Sequence, residues 1–192
     1  QGILKKAPHL PDWQNRALTR ELGEALRAKV LIENDTALAA LGEAIMGAGK
    51  GLPIVAYISI GTGVGGARVV NGKLDAASQG FEPGHQLIGL DNKDWPYCGQ
   101  RGCWEAFISG TAWGEQALNE DYYQWAARGL VNVAVFWSPD MIIIGGGFGR
   151  NLDTARLEIL LKEQLPLFDP IPVRKSLLSD RAALIGGFYY GL

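Results

Sequence analysis

The sequence has no excess of positive charge, no long apolar run and almost no cysteine. Its 18 Lys and Arg residues are balanced by 20 Asp and Glu, which gives a formal net charge of −2 over 192 residues. Binding to a nucleic-acid backbone requires a basic surface, so we expect no nucleic-acid partner for this segment. The longest apolar run, residues 141–144, has the length of a strand, so we expect no membrane partner either.

Only two cysteines occur, Cys98 and Cys103, five positions apart in a loop that also contains glycine. A hydrophobic content of 47% is ample for a core, so the chain does not need a disulfide framework in order to fold. The pair therefore indicates a metal site or reduced thiols, and the expected location is the cytoplasm. The chain opens at Gln1 instead of Met, which predicts an upstream segment in the intact protein.

The pattern of apolar residues predicts an α/β layer with a mixed sheet. Before a breaker-rich link at residues 47–53, where we place a domain boundary, it predicts a helix around Leu18–Leu26, a strand at 30–32 and a helix starting near Asp35. After the link it predicts strands at Ile54–Ile60, through Arg68 and Val70, at 141–144 and after Pro172, with helices near 104–113, 121–137 and 153–165 and at the end of the chain.

Glycine is abundant, with 26 residues, and it is clustered. Residues 61–66 formally match G-x-G-x-x-G after a strand, but a dinucleotide-binding fingerprint must open a helix. Here the loop opens a hairpin, and Asn71-Gly72 further along predicts a type I′ turn. Two interpretations stay open: the backbone N–H groups and Thr62 hold phosphate, or the glycines serve a tight turn at positive φ.

Two more positions follow predicted strands. Asp35 can present a carboxylate to a cleft or cap the next helix. Gly145, Gly146 and Gly147 can line a ligand crevice at the end of a strand or allow a close strand–helix crossing.

The irregular stretch from 75 to 103 and the helix after it supply the remaining polar candidates. Glu82, His85 and Glu105 can each be a solvated surface group when taken singly. Cys98 and Cys103 resemble half of a zinc knuckle, and His85 would bring the ligand count to three, one short of a closed site.

Several motifs occur together and in order. They are Ala7 to Pro11, Glu33-Asn34-Asp35, Leu41-Gly42-Glu43, the segment from Ile58 to Gly66, Asn71 to Leu74, Glu82-Pro83-Gly84-His85, Cys98 to Glu105, 141–147 and Ala183 to Gly187. Jointly they resemble the ROK family (repressor, open reading frame, kinase) of sugar kinases and sugar-responsive repressors. The resemblance implies the actin-like ATPase fold (RNase H-like, hexokinase-type). Residues 1–50 would end the amino-terminal lobe, and 51–192 would form the carboxyl-terminal lobe.

The resemblance also implies roles for single residues. Asp35 would be the catalytic base. Sugar hydroxyls would be contacted by Asn34, Glu82, His85 and Glu105. The nucleotide would be bound by Gly61, Thr62, Gly63, Gly145, Gly146 and Gly147. The expected cofactors are ATP and Mg²⁺, the expected partner is a small sugar, and the expected assembly is a homodimer.

Departures from the family pattern limit these expectations. The amino-terminal D-x-G-G-T phosphate loop is absent, so we expect the 192-residue piece alone to be inactive. Pro96 stands where the first knuckle cysteine would fall, and proline cannot bind zinc. We therefore expect a zinc site of His85, Cys98 and Cys103 that is incomplete unless water or a carboxylate such as Asp94 completes it.

The function that these features favour is ATP-dependent phosphorylation of a hexose or an N-acyl-hexosamine. Two alternatives remain open at this point: the sugar-sensing domain of a ROK-type repressor, and a sugar-binding homologue without turnover. Asp35 favours catalysis, whereas the damaged zinc knuckle favours divergence.

Overall fold

The computed structural model describes residues 2–3, 11–78, 80–89 and 94–192. The motif at Ala7 to Pro11 therefore lies, except for the backbone of Pro11, outside the described residues. The chain forms two compact units: Gln1–Asn34 with Gly191, and Asp35–Tyr190 with Leu192. The predicted lobe boundary near residue 50 stays a prediction. No helix of the described part combines the length and apolar character that crossing a membrane requires.

The first unit contains a short 3₁₀ helix, Pro11–Trp13, and helix α1, Leu18–Leu26, which buries none of its residues. Arg27 ends α1 in the left-handed conformation. The predicted strand at 30–32 is wrong, because no described residue pairs with it and Leu31 is 47% exposed. An apolar tripeptide becomes a strand only where another strand supplies hydrogen-bonding partners.

The second unit is built on a mixed sheet, as predicted, and this sheet has five strands. Its strands are β1 (Ile54–Ile60), β2 (Val64–Val70), β3 (Lys73–Leu74), β4 (Met141–Gly145) and β5 (Val173–Lys175), in the order β3-β2-β1-β4-β5. Strands β1, β2 and β3 pair antiparallel, whereas β4 is parallel to both β1 and β5. Asn71 and Gly72 join β2 to β3 with φ of 49° and 71°, the two positive values that a type I′ turn requires.

Helices cover both faces of this sheet. They are α2 (Asp35–Met46), α3 (Glu105–Ile108), α4 (Gly110–Trp113), α5 (Glu120–Trp137), α6 (Thr154–Gln164) and α7 (Ala182–Tyr190). Alternate side chains of β1 enter opposite cores: Ile58 packs with α3, α5 and α6, while Tyr57 packs with α2 and α7. Helix α7 approaches α2 so closely that a Cβ at Gly186 would lie 1.7 Å from the carbonyl oxygen of Leu38.

The single helix predicted over 104–113 is wrong, because it is divided at Ser109. Ser109 is extended, with ψ of 154°, and its hydroxyl accepts the backbone N–H of Ala112 at 3.1 Å. The side chain therefore caps α4, since a serine bonds a free helix N–H more readily than it continues a helix.

Candidate active site

The loop between β1 and β2 lies close to α3 and α4. The backbone N–H of Gly110 donates to the carbonyl of Gly61 at 2.7 Å, and that of Val64 donates to Glu105 Oε2 at 2.8 Å. No glycine between 61 and 66 has a positive φ. A Cβ at Gly63 would instead lie 2.6 Å from Glu105 Oε2. The glycines of this loop thus permit close approach, and the alternative of a turn at positive φ does not apply.

This loop lines a cavity of about 290 Å³, which we call the loop pocket. Its lining residues are Thr36, Ser59, Gly61, Thr62, Gly63, Val64, Gly65 and Glu105. The predicted nucleotide elements at 61–63 and one predicted sugar contact, Glu105, are therefore brought together. Hydroxyl groups, backbone N–H groups and one carboxylate around a single cavity can bind a polyol or a phosphate.

Asp35 is the first residue of α2 and lines a second cavity of about 410 Å³, which we call the Asp35 cavity. Its carboxylate Oδ1 accepts the backbone N–H of Thr36 at 2.7 Å, which orients the group. Thr36 and Ser59 line both cavities, so the Asp35 cavity and the loop pocket adjoin each other. Asp35 thus lines a cavity, and it is a residue of α2 itself, not the capping residue before the helix. Its role as the catalytic base stays a prediction.

The end of β4 forms part of the wall of the Asp35 cavity. Gly145 and Gly146 line it, and Gly146 has φ of +83°. A Cβ at Gly146 would lie 2.4 Å from the carbonyl oxygen of Ile60, whereas Gly147 has open space around it. Gly145 and Gly146 therefore border a cavity, and the close approach that they allow is to strand β1, not to a helix as the alternative interpretation had it. The nucleotide-binding role of Gly145, Gly146 and Gly147 stays a prediction.

Sequence reasoning missed the cations of the Asp35 cavity, Arg150 and Lys175. Lys175 is the last residue of β5, and its ammonium donates to the carbonyl of Arg150 at 3.0 Å. Because the carboxyl ends of parallel strands meet at one edge of a sheet, the predicted strand after Pro172 was a signal that could have located Lys175. The guanidinium of Arg150 pairs with Asp180, which also lines the cavity.

Ser176, which lines the Asp35 cavity, is bonded to a buried carboxylate, Glu43. Glu43 is completely buried, and its carboxylate accepts Ser176 Oγ at 2.6 Å and the backbone N–H groups of Leu178 at 2.7 Å and Ala48 at 2.8 Å. Burial, with the charge of Glu43, raises the pKa of the Tyr57 phenol to about 12. Sequence reasoning included Glu43 in a motif without giving it a role.

Glu82 is not brought to either cavity. It is exposed and borders a separate cavity of about 210 Å³ together with Phe81, Phe136 and Trp137. Asn34 is the last residue of the first unit, and its backbone N–H donates to Glu33 Oε1 at 2.8 Å. The sugar-contact roles of Glu82 and Asn34 stay predictions.

His85, Cys98 and Cys103 form a cluster whose three donor atoms lie within 4.8 Å of one another. The two sulfurs are 3.7 Å apart, and His85 Nδ1 is buried without a hydrogen-bonding partner among the described residues. Burial raises the pKa of the Cys103 thiol to about 11. One imidazole nitrogen and two sulfurs fit zinc, which would deprotonate the thiols and satisfy the orphaned nitrogen.

Comparison with known proteins places this geometry in context. A family model described as "ROK family" matches residues 1–121. A glucokinase of Thermotoga maritima is 41% identical over 113 residues, which cover 58% of this chain and 35% of the glucokinase. A xylose repressor of Bacillus subtilis is 35% identical over 103 residues, which cover 53% of this chain and 27% of the repressor. The chain thus matches much less than two thirds of the length of either relative.

A ROK hexokinase of known structure from Thermus thermophilus superposes with a TM-score of 0.84 at 25% identity. The superposition covers 96% of this chain and 72% of the hexokinase. The predicted fold class is therefore confirmed as the actin-like ATPase fold of ROK hexokinases.

Proposed function

The chain belongs to the ROK family, and on that premise we propose that it is the carboxyl-terminal part of an ATP-dependent sugar kinase. One observation carries the proposal: the Asp35 cavity adjoins the loop pocket through Thr36 and Ser59. A carboxylate that can take a proton, beside a glycine-rich loop that a phosphate can approach closely, suits phosphoryl transfer to an alcohol. The proposed substrate class is a hexose or an N-acyl-hexosamine.

Asp35 would act as the general base. A sugar hydroxyl is a weak nucleophile, so a carboxylate that accepts its proton during attack on the γ-phosphate raises the rate about 10²–10⁴-fold. The bond from Thr36 N–H holds one carboxylate oxygen, which reduces the freedom that the base must lose before reaction. Glu105 would accept a hydrogen bond from a second hydroxyl and orient the ring.

The backbone of residues 61–63 and the ammonium of Lys175 would hold the phosphates of ATP. Among the described residues, only His85, Cys98 and Cys103 group three metal-binding side chains. Mg²⁺ is therefore expected to arrive on the phosphates of ATP, as it commonly does in kinases, where it neutralises their charge. Zinc, where bound, would have the structural role of fixing the ring of His85.

A second candidate function is the sugar-sensing domain of a repressor, which the similarity to the xylose repressor favours. Such a domain needs the sugar pocket but no base. Asp35 favours the kinase, because sugar sensing alone gives no reason for a carboxylate in a cavity that adjoins the loop pocket. A sugar-binding homologue without turnover and a homodimeric assembly also stay proposals.

The test is sugar-dependent ADP release by the intact protein with a panel of hexoses and N-acyl-hexosamines. Asp35→Asn should lower kcat about 10²–10⁴-fold and leave the sugar dissociation constant within about threefold. Asp169→Asn removes an exposed carboxylate away from both cavities and serves as the control. If wild-type protein binds sugar without turnover, the repressor or the inactive homologue is the correct function. If Asp35→Asn turns over normally, Asp35 is not the base.

A further inference from the structure

Glu105 is held by two hydrogen bonds from different parts of the chain. Its Oε2 accepts the backbone N–H of Val64 at 2.8 Å, and its Oε1 accepts the indole N–H of Trp95 at 2.7 Å. Each oxygen therefore has one fixed donor, and each retains a lone pair for another. Because Glu105 also lines the loop pocket, a ligand hydroxyl in that pocket can donate to it.

Trp95 can fix Glu105 because Trp95 is itself fixed. Its side chain is 7% exposed and belongs to the main hydrophobic core. Its backbone N–H donates to the carbonyl of Gln100 at 3.1 Å, and its carbonyl accepts the N–H of Gly99 at 3.0 Å. Asp94 and Arg101 pair beside it, with 2.6 Å between carboxylate and guanidinium. Core packing fixes the ring, and these bonds fix the backbone that carries it. The indole N–H of Trp95 therefore points in one direction.

We propose that Trp95 is a positioning residue for sugar binding, acting through the carboxylate of Glu105. This inference rests on the proposed function, since it takes a sugar hydroxyl to lie beside Glu105, with the phosphates of ATP at the backbone of residues 61–63. Without the indole bond, Glu105 Oε1 loses a charge-assisted donor, and rotation about the terminal torsion of the side chain is limited only by Val64 N–H. The carboxylate then spends less time aimed at the sugar hydroxyl, so sugar affinity falls while ATP affinity does not.

The stretch from Asp94 to Cys103 holds Trp95 in place although its zinc knuckle is incomplete. Pro96 removes one metal ligand, but the backbone bonds of Trp95 and the Asp94–Arg101 pair close the same turn. The indole N–H is a donor at every pH at which the protein is folded. Positioning by Trp95 therefore needs no metal.

The kinetic test compares Trp95→Phe with Trp113→Phe in the intact protein. Both substitutions keep an aromatic ring and remove one indole N–H; that of Trp113 donates to the carbonyl of Gln116 at 3.2 Å, outside both cavities. Trp95→Phe should raise the KM for sugar about tenfold, as expected for losing a hydrogen bond to a charged group, with the KM for ATP within about twofold. Trp113→Phe should change neither. An unchanged KM for sugar in Trp95→Phe, or an equal rise for both substrates, overturns the proposal.

The second test needs no substitution of tryptophan and no turnover. The six tryptophans each give an indole N–H signal in a ¹⁵N–¹H spectrum. Glu105→Gln should shift the signal of Trp95 and leave that of Trp113 in place; an unshifted Trp95 signal overturns the bond. In a Glu105→Ala background, which has no side-chain acceptor, Trp95→Phe should have no further effect on sugar affinity measured by calorimetry, and an additive loss overturns the route through Glu105. If these effects on sugar affinity are found but the protein shows no turnover, the kinase proposal is rejected and the positioning role of Trp95 is retained.

Discussion

The two adjoining cavities are built in different ways. The Asp35 cavity takes Asp35 from the start of α2, Gly145 from the end of β4 and Lys175 from the end of β5, so regular elements place these two charged groups. The loop pocket owes its carboxylate, Glu105, to bonds from Val64, 41 positions away, and Trp95, 10 positions away. In the Asp35 cavity, the backbone geometry of helices and strands determines where the charged groups lie. In the loop pocket, a few hydrogen bonds to one side chain determine where the carboxylate lies.

This difference predicts different responses to substitution. Changes at the Asp35 cavity that disturb backbone packing should cost stability, because strands β1 and β4 support the whole sheet. Changes in the stretch from Asp94 to Cys103 should alter ligand affinity while leaving the sheet intact.

Gly146→Ala should lower the free energy of unfolding by about 2–4 kcal/mol. Its Cβ would lie 2.4 Å from the carbonyl oxygen of Ile60, and the residue has φ of +83°, which alanine adopts only with strain. Gly147→Ala is the adjacent control, since no atom lies within 4 Å of its Cβ, and it should change stability by less than about 0.5 kcal/mol. Denaturant titration of both variants measures the difference. Equal stability of the two would mean that the end of β4 is less closely packed than described.

Glu43→Gln should cost about 1–3 kcal/mol in the free energy of unfolding. The carboxylate is completely buried and accepts three hydrogen bonds, from Ser176 Oγ and the backbone N–H groups of Leu178 and Ala48, and an amide can accept at only one of its two terminal atoms. Glu163→Gln, at an exposed position of α6, is the matched control. Because Ser176 lines the Asp35 cavity, the KM for ATP should rise as well. If Glu43→Gln leaves the free energy of unfolding unchanged, the loop after β5 is held by its backbone alone.

Glu158→Gln should have a small, pH-dependent effect. The backbone N–H of Val173 and the guanidinium of Arg174 lower the pKa of the Glu158 carboxyl below its usual value. A depressed folded pKa contributes stability above the unfolded value of about 4.5, and that contribution is lost as the pH falls through the folded value. The wild type should thus exceed the variant by less than about 1 kcal/mol at pH 7, and this advantage should shrink as the pH falls below about 4.5. A difference that does not shrink on acidification would contradict the assignment.

Zinc removal should have the smallest effect. His85, Cys98 and Cys103 supply three ligands, and a site with one ligand fewer than a closed structural site releases its metal more readily. We expect less than one zinc per chain after dialysis, and an unchanged unfolding midpoint after chelation. Elemental analysis and thermal melts decide this. One zinc per chain that survives dialysis would mean that a further residue completes the shell. The loop pocket would then also be held by a rigid support, and it would differ less from the Asp35 cavity.

Local sequence determined the sheet and most of the helices. The apolar run at residues 141–144, the Asn71-Gly72 turn and the glycine-rich hairpin loop each carry information within a few residues, because φ preference and side-chain alternation are local properties. A helix starting near Asp35 is confirmed as well, although the strand predicted before it is absent. The grouping of His85 with the two cysteines came from the resemblance, and the structure brings all three together.

Only the tertiary structure decided the rest, because those features depend on partners that are distant along the chain. Residues 30–32 have strand composition but no pairing strand, and Ser109 divides a helix that the apolar pattern leaves continuous. Glu82 and Glu105 are equivalent as isolated carboxylates, yet one is exposed beside Trp137 and the other is fixed by Trp95. No spacing rule connects an indole to a carboxylate 10 positions later across an irregular turn, since such a bond exists only once the core has fixed both groups.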